Sequence, residues 1–236
     1  MKKVLVVDIG GTNVKAMISR EARRKFASGE GLTPRQLHDM LEGKLDDWKY
    51  DVVSIGFPAP VRNGRILCDP KNLGKGWTRF NFEKAFGKPV RVVNDAAMQA
   101  VGSYRGGRML FIGLGTGFGS ALVWKGTVLS LELSELPYLN EGTIEDRIGK
   151  TGMKEIGRKT WAEDVDRILL HLQRAFVVDY IVLGGGNAKM LERLPPAVEL
   201  GHNRNAYLGG QRVWQNNPRT RRPRWTIFAA RPVSPR

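Results

Sequence analysis

The sequence has very little cysteine and histidine. Cys68 is the single cysteine among 236 residues, so no disulfide can form within the chain. The three histidines, His38, His171 and His202, are far apart in the sequence. A zinc site built from cysteine and histidine is therefore not expected. A Ser-His-Asp hydrolase stays open as a class, although no G-x-S-x-G motif supports it.

Long apolar runs are also missing. No stretch approaches the roughly 20 apolar residues that a membrane-spanning helix needs. The first ten residues, MKKVLVVDIG, lack the apolar core and cleavage site of a signal peptide and instead favour a β-strand. With 42% apolar and 26% charged residues, the chain is typical of a globular protein without membrane contact. We expect it in the cytoplasm.

Acidic residues are absent from the last part of the chain. None follows Glu199, whereas eight arginines do, and they account for eight of the fifteen excess positive charges. They are Arg204, Arg212, Arg219, Arg221, Arg222, Arg224, Arg231 and Arg236. The segment NNPRTRRPRW is rich in arginine and interrupted by proline, which predicts an extended, solvated basic tail over 215–236. Such a tail is either a plain soluble terminus or a contact for a polyanion, such as nucleic acid or inorganic polyphosphate.

Strand and helix patterns alternate along the chain. The first half predicts strands in KKVLVVDIG, VKAMIS, YDVVSIGFPAPV and PVRVVND, with a helix in TPRQLHDMLEGKLDDW and a short one in FEKAF. The second half predicts a helix in AAMQAVGSY, a hairpin in RMLFIGLGTGFGSALVWKGTVL and a long amphipathic helix in TWAEDVDRILLHLQRAFVVD. YIVLGGGNAKMLERL then predicts a strand, a glycine turn and a helix.

The two halves share one plan. VLVVDIGGTNVKAMI and MLFIGLGTGFGSALV both read as an apolar strand, a Gly-Thr turn and a second strand. The class predicted is α/β, as a duplicated unit with a cleft between two lobes. We expect a first lobe over 1–97 and a second over 98–214, with the last helix packing back on the first lobe.

The glycine turns are candidate phosphate loops. Glycine has no Cβ to keep a ligand from the backbone, and successive exposed N–H groups form an anion-binding concavity. One such turn alone is more often structural, but two matched turns in matched lobes favour a phosphate site. Neither is a Walker A loop, because no G-K-[ST] follows the glycines. The turn in YIVLGGGNA would present a helix start to an anion or nucleotide, or would simply be a tight connection.

Two aspartates close predicted strands. Asn94 and Asp95 end VRVVND just before a helix, and such a pair is commonly only a helix cap. If they instead lie in a cleft facing phosphate loops, Asp95 is a candidate general base and Asn94 a candidate amide for binding hydroxyls. Asp8 ends the first strand and is suited to hold Mg²⁺, directly or through water, or to close an Asx turn. Glu132, Glu135, Glu141, Glu145 and Asp146 form an acidic stretch. Its carboxylates either bind sugar hydroxyls or are surface charge.

Taken together, these motifs resemble the ROK family of sugar kinases and sugar-responsive repressors, within the actin-like (ribonuclease H-like) kinase superfamily. The match extends to about Trp214 and includes DIGGTNVK, GFPAPV, NLGKGW, VVNDA, GLGTGFGSALV, LELSEL, GTIEDRIG and YIVLGGGNA. The resemblance is strongest to glucokinases, including those that use polyphosphate. It implies a two-lobed fold whose central cleft closes on a sugar and a phosphoryl donor, with Mg²⁺ as cofactor, and a homodimer.

The resemblance also implies roles for residues. Asp95 would be the base that acts on the 6-hydroxyl of glucose or a related hexose. Sugar contacts would come from Asn72, Asn94, Asp95, Glu132, Glu135 and Glu145. Phosphate or nucleotide contacts would come from Asp8, Gly10, Gly11, Thr12, Asn13, Lys15, Gly115, Thr116, Gly117, Gly184, Gly185 and Gly186, and Mg²⁺ from Asp8.

Several features depart from the family pattern. Glu135 stands where many members have a sugar-binding histidine, and the cysteine-rich zinc motif is absent, as in the polyphosphate-using branch. The segment SREARRKFASGEGLTP is short for the family's extra strand.

We expect a hexose kinase that uses ATP or inorganic polyphosphate. The alternative is a sugar-binding regulator without catalysis, or a degenerate kinase; the first strand begins at residue 2, which speaks against the helix-turn-helix domain of the family's repressors. Nucleic acid is expected as a partner only if it binds to the basic tail.

Overall fold

The computed structural model describes residues 2–115, 117–139, 142–202 and 204–229. The strands are β1 (Val4–Ile9), β2 (Asn13–Met17), β3 (Arg23–Ala27), β4 (Val52–Phe57), β5 (Val61–Arg62), β6 (Arg65–Ile66), β7 (Val90–Asn94), β8 (Arg108–Leu114), β9 (Phe118–Trp124), β10 (Thr127–Leu131), β11 (Tyr180–Gly184), β12 (Val198–Leu200) and β13 (Thr226–Ala229). The helices are α1 (Pro34–Leu41), α2 (Phe82–Phe86), α3 (Asp95–Ser103), α4 (Ile144–Ile148), α5 (Lys150–Ile156), α6 (Arg158–Ala175) and α7 (Asn205–Arg212). The α/β class predicted from the sequence is confirmed.

Two sheets share one five-strand topology, to which the second sheet adds β13 beside β10. The first has the order β3-β2-β1-β4-β7 and the second has β12-β11-β8-β9-β10-β13. In each, an antiparallel meander (β1-β2-β3 or β8-β9-β10) continues into two parallel strands (β4 and β7, or β11 and β12). Every residue of β1 is buried, as its unbroken apolar sequence predicts for a central strand. The carboxyl ends of the parallel strands therefore converge on one region in each sheet.

Helices α3 and α7 lie between the sheets and pack on each other. α3 contacts β4 and β7 as well as β8, β9 and β10, while α7 contacts β1 and β4. Glycines permit this close crossing: a Cβ on Gly102 would overlap the Asn205 carbonyl, and one on Gly209 would overlap the Met98 carbonyl. Arg212 donates to the carbonyls of Val101, Gly102 and Tyr104 at the end of α3. A cation there satisfies carbonyls that have no partner within their own helix.

The arginine-rich end of the chain is not the solvated tail that its composition predicted. Asn216 bridges Pro223 across a hairpin, and β13 pairs in parallel with β10 at the edge of the second sheet. Trp225 is 8% exposed and packs under that sheet. The physical reason is the apolar sequence Trp225, Thr226, Ile227 and Phe228, which can complete the sheet once the proline-rich hairpin has turned the chain. Residues 230–236 lie outside the described range.

Two smaller expectations also differ from the structure. The segment after β2 does contain the extra strand, β3, which continues the meander. The glycine turn after β11 leads only into a four-residue 3₁₀ helix, Asn187–Met190, and not into an α-helix. Pro195 and Pro196 follow closely, and they limit the length of any helix there. Among the described residues, no helix has the length and apolar character needed to cross a membrane.

Candidate active site

A cleft of about 610 Å³ is lined by residues from both sheets. Its floor is formed where strands end: Asp8 near the end of β1, Asn94 at the end of β7, Gly115 after β8 and Gly185 after β11. Ligand sites of α/β proteins commonly lie at the carboxyl ends of strands. Sixteen of the residues predicted for the site line this cleft: Asp8, Gly10, Gly11, Thr12, Asn13, Lys15, Asn72, Asn94, Asp95, Gly115, Gly117, Glu132, Glu135, Glu145, Gly185 and Gly186.

Two predicted residues stand apart. Gly184 does not line the cleft. A Cβ there would come within 2.5 Å of the Phe111 ring, so this glycine lets the Phe111 ring pack against the backbone of β11. Thr116 lies outside the described residues, as does Glu141 of the acidic stretch.

Asp95 is the first residue of α3, and Asn94 caps that helix. The Asn94 side chain accepts from the Ala97 N–H at 3.1 Å and donates to the Ala59 carbonyl at 3.4 Å. Asn94 is therefore the N-cap of α3, and Asp95 is not needed as the cap. The Asp95 carboxylate accepts one backbone hydrogen bond, from the Ala96 N–H at 2.7 Å, and lines the cleft.

The protein raises the pKa of Asp95 to about 7. Burial is the main cause, because a charged carboxylate loses water that the surrounding protein does not replace. The negative charges of Asp8 and Glu132 raise the pKa further, while the hydrogen bond from Ala96 lowers it. A carboxyl group with this pKa can accept a proton at neutral pH, as general-base catalysis requires.

Asp8 is a second carboxylate near Asp95. It is 8% exposed, and burial raises its pKa. The Lys15 ammonium, on the neighbouring strand in direct register with Asp8, lies 3.6 Å away and opposes that rise. Gly56 is its register partner on β4; a Cβ there would overlap the Met98 methyl group and lie 3.4 Å from Asp8 Oδ1, so the glycine admits the Met98 side chain beside the Asp8 carboxylate.

The site around Asp8 fits Mg²⁺ in its donor chemistry. Mg²⁺ prefers oxygen ligands and is usually held by one or two carboxylates together with water and substrate phosphates. Asp8 is buried, Asp95 is half-buried, and the two carboxylates are close enough for the charge of Asp8 to raise the pKa of Asp95. Asp8 would be the protein ligand, and the remaining positions would belong to water and phosphate oxygens.

The glycine loops are held in place by hydrogen bonds. Gly10 N–H donates to the Asn13 carbonyl at 3.0 Å, and Gly115 N–H donates to the Gly117 carbonyl at 3.1 Å. The carbonyls of the same glycines accept from Ser28 Oγ at 2.6 Å and Asn187 Nδ2 at 3.1 Å. These N–H groups close the turns, so an anion in the loops must use other donors. The N–H and carbonyl groups of Gly10 and Gly115 are thus all hydrogen-bonded within the protein.

Carboxylates of the second half form one side of the cleft. Partial burial and the negative charges of Glu135 and Glu145 raise the pKa of Glu132, and Lys71 opposes this. The Lys71 ammonium lies 3.8 Å from Glu135, and both side chains are exposed. A carboxylate cluster facing a cavity is suited to accept hydrogen bonds from several hydroxyl groups.

Sequence reasoning missed several cleft residues. Lys71 and Lys150 add positive charge to the cleft, and Gln99 and Asn187 add amide groups. No local motif marks Lys71, Lys150 or Gln99, since each is a single polar residue in a helix or loop, whereas Asn187 follows the glycines of YIVLGGGNA. Only the position of these side chains on the cleft wall distinguishes them from surface residues.

Comparison with known proteins gives a consistent result. Residues 4–130 match the ROK family. Polyphosphate glucokinase of Mycobacterium tuberculosis is 23% identical over 217 residues, which cover 82% of this chain and 81% of that protein. Glucokinase of Halalkalibacterium halodurans is 29% identical over 181 residues, which cover 63% and 54%.

Solved structures show the same fold. The inorganic polyphosphate/ATP-glucomannokinase of Arthrobacter sp. strain KM aligns with a TM-score of 0.76 at 21% identity, covering 89% of this chain and 97% of that one. A ROK family glucokinase from Streptomyces griseus, solved with glucose and AMPPNP, aligns with a TM-score of 0.67 at 17% identity, covering 88% and 97%. The two-lobed, actin-like fold expected from the sequence motifs is thereby confirmed, and the family match covers more than half of the chain. The chain belongs to the ROK family.

Proposed function

We propose that this protein is a sugar kinase that transfers a phosphoryl group to the 6-hydroxyl of glucose or a related hexose. The observation that carries the proposal is Asp95, a half-buried carboxylate with a pKa of about 7 on the wall of a cleft shared by two glycine loops. Phosphoryl transfer needs an aligned nucleophile, a positioned phosphate and neutralised charge more than covalent help from the protein.

In the proposed reaction, the oxygen of the sugar 6-hydroxyl attacks phosphorus, and Asp95 accepts the proton of that hydroxyl. The oxygen–phosphorus bond forms while the bond between phosphorus and the donor's bridging oxygen breaks. Glu132, Glu145 and Asn72 orient the sugar through its other hydroxyls. When bound at Asp8, Mg²⁺ would supply positive charge to offset that of the phosphates.

The proposed donor is ATP or inorganic polyphosphate. Relatives named polyphosphate glucokinase and a neighbour named for both donors support this pair. Lys71 and Lys150 on the cleft wall supply charge suited to either donor. Both donors present a terminal phosphate to the glycine loops, so the same residues serve them.

The proposal predicts an acid limb in the pH profile. The protonated Asp95 cannot accept a proton, so kcat/KM should fall as the pH drops through about 7. At pH 6 it should be about 10-fold below its value at pH 8, for either donor. Initial rates in buffers of constant ionic strength measure this. A flat profile from pH 6 to 8 would remove Asp95 as the titrating base.

Glu132→Gln should weaken sugar binding. A hydrogen bond to a charged group contributes about 1.5–3 kcal/mol, so the KM for glucose should rise roughly 10- to 100-fold. The KM for the donor should change little. Glu155→Gln, an exposed position on α5 away from the cleft, is the matched control. Equal KM values for both variants would exclude Glu132 from the sugar site.

The decisive test is product formation. Purified protein with Mg²⁺ and a panel of hexoses should yield the hexose 6-phosphate with ATP, with polyphosphate or with both. Product with neither donor for any hexose, combined with calorimetric binding of the sugar, would identify a sugar-binding regulator or degenerate kinase. Glu135, which stands in place of the family histidine, favours inclusion of mannose and N-acetylated sugars in the panel.

A further inference from the structure

We propose that the β10–β13 edge of the second sheet binds single-stranded nucleic acid. The surface has two parts: an arginine hairpin, residues 217–224, and an apolar stripe formed by Trp124, Leu129 and Phe228. Neither part belongs to the cleft, and the proposed kinase reaction uses neither.

The arginine hairpin is an ordered element. Asn217 and Arg222 pair through backbone groups, the Asn217 side chain accepts from the N–H groups of Arg219 and Thr220, and Arg224 N–H donates to the Gln215 carbonyl. The arginines 219, 221, 222 and 224 are all exposed. None of them forms an ion pair within the described part of the chain. Four unneutralised cations are thus presented on one short hairpin.

The apolar stripe lies on the adjoining strands. Leu129 and Phe228 are direct register partners, and Trp124 pairs with Thr127 two residues along the same face. Trp124, Leu129 and Phe228 are 51%, 37% and 53% exposed, whereas their neighbours Val123 and Val128 point into the core. Large exposed apolar side chains grouped on one face commonly mark an interaction site.

The two parts join into one surface. Thr226 N–H donates to the Gly126 carbonyl, which brings the start of β13 and the end of the hairpin beside the Trp124 turn. Lys125 places its ammonium 4.9 Å from the Trp124 ring centre. The β5–β6 hairpin, which carries Arg62 and Arg65, also contacts β13. The apolar stripe therefore adjoins positive charge from the arginine hairpin and from Lys125.

The positive charge of this surface favours a polyanion as the partner. The Asp179 carboxylate, beside the register pair of Arg108 and Trp124, is paired with Arg108. A second copy of the chain docked symmetrically would bring its own arginine hairpin against this one, and like charges would oppose the contact. Phosphates, by contrast, are suited to the arginines.

Aromatic exposure favours a nucleic acid with unpaired bases. Base stacking on aromatic side chains accompanies basic surfaces in proteins that bind single strands. A bare phosphate chain has nothing to stack on Trp124 or Phe228, and the bases of a duplex are already stacked. The strand direction places the arginine hairpin at the end of β10 away from Glu132, so nucleic acid and sugar should bind independently.

Fluorescence anisotropy with a labelled 12-nucleotide single-stranded RNA tests the proposal. We expect salt-dependent binding that a saturating hexose does not change. Trp124→Ala should weaken binding about 5- to 100-fold. R221S/R222S should reduce the slope of log K against log salt by about 1.4, because each lost phosphate contact accounts for about 0.7.

The control is R35S/K84S, which removes the same charge from two exposed positions on the first lobe. It should leave both the affinity and the salt slope unchanged. If both double variants changed the affinity and the salt slope equally, binding would depend only on the net charge of the protein, and the proposal would be overturned. It would also be overturned by a loss of polyphosphate affinity in Trp124→Ala as large as its loss of RNA affinity, by equal affinity for a 12-base-pair duplex, or by no binding at low salt. Should Trp124→Ala fail to fold in a thermal melt, Phe228→Ser serves the same test.

Discussion

Replacing Asp95 with asparagine is expected to lower kcat by about 100-fold or more, with sugar binding largely kept. The amide retains the shape and the hydrogen-bond acceptor for Ala96, but it cannot take a proton from the 6-hydroxyl. General-base assistance contributes roughly 10²–10⁴ to rate. Initial rates with glucose and each donor measure kcat, and calorimetry measures sugar affinity without turnover.

Stability provides the internal control for this variant. Since the folded-state pKa of Asp95 lies above the ordinary value of 3.8, the folded protein holds a proton that the unfolded chain has released. Stability is therefore lost as the pH rises from about 4 through about 7. A tenfold difference in proton affinity between the folded and unfolded states corresponds to about 1.36 kcal/mol, so the neutral asparagine should stabilise the protein above pH 7 by up to about 4 kcal/mol.

A variant that is inactive and yet more stable cannot owe its inactivity to misfolding. Asp39→Asn, an exposed position on α1, is the matched control and should change neither kcat nor stability appreciably. Normal turnover by the Asp95→Asn variant would exclude this residue as the base. Lost turnover with lost sugar binding would instead indicate a collapsed cleft.

Gly209→Ala is expected to lower the free energy of unfolding by about 2–4 kcal/mol. Alanine is the better helix former by about 1 kcal/mol, so helix propensity alone predicts the opposite sign. The added methyl group would overlap the Met98 carbonyl on α3, and neither helix backbone can yield locally. The helices must separate, which opens gaps against β1 and β4 on one side and β8 and β9 on the other.

Thermal and urea unfolding measure this effect. Gly29→Ala is the matched control, because nothing lies within 4 Å of a Cβ there and its backbone does not require glycine. We expect the control to remain within about 0.5 kcal/mol of the native protein. Since α3 begins with Asp95, separation of the helices should also lower kcat. Unchanged stability of the Gly209 variant would mean that the two helices are not held in tight contact in solution.

The α/β class, the two hairpins and the helical periods of α1 and α6 follow from local patterns. Alternating or continuous apolar residues determine strand and helix periods within about ten neighbouring residues, and Thr33 with Gln36 forms the capping box that begins α1. The glycine turns, Asp8, Asn94 and Asp95 were found for a related reason, whereas the sugar contacts Asn72, Glu132, Glu135 and Glu145 came from the resemblance to the ROK family. Glycines, asparagines and carboxylates at the ends of apolar strands meet at one edge because strand direction determines where the chain turns.

Where prediction failed, the deciding contacts were distant in sequence. The arginine-rich segment is polar by composition, but pairing with β10, about 100 residues earlier, makes Thr226–Ala229 a strand. Lys71 and Lys150 carry no local signal, and only the packing of the two sheets brings them to the same cleft. The helix expected after the third glycine turn is limited to one 3₁₀ turn by prolines that follow.

The amino-acid sequence by itself determined the order of strands and helices, the glycine turns and the charge imbalance at the chain's end. These properties depend on backbone preference and on residue spacing over a few neighbours. Tertiary structure alone decided the pKa of Asp95, because its burial and the charges of Asp8 and Glu132 come from segments far apart in the chain. It also decided that the arginine hairpin, residues 217–224, lies at a sheet edge beside exposed aromatic rings, since only folding brings β9, β10 and β13 together.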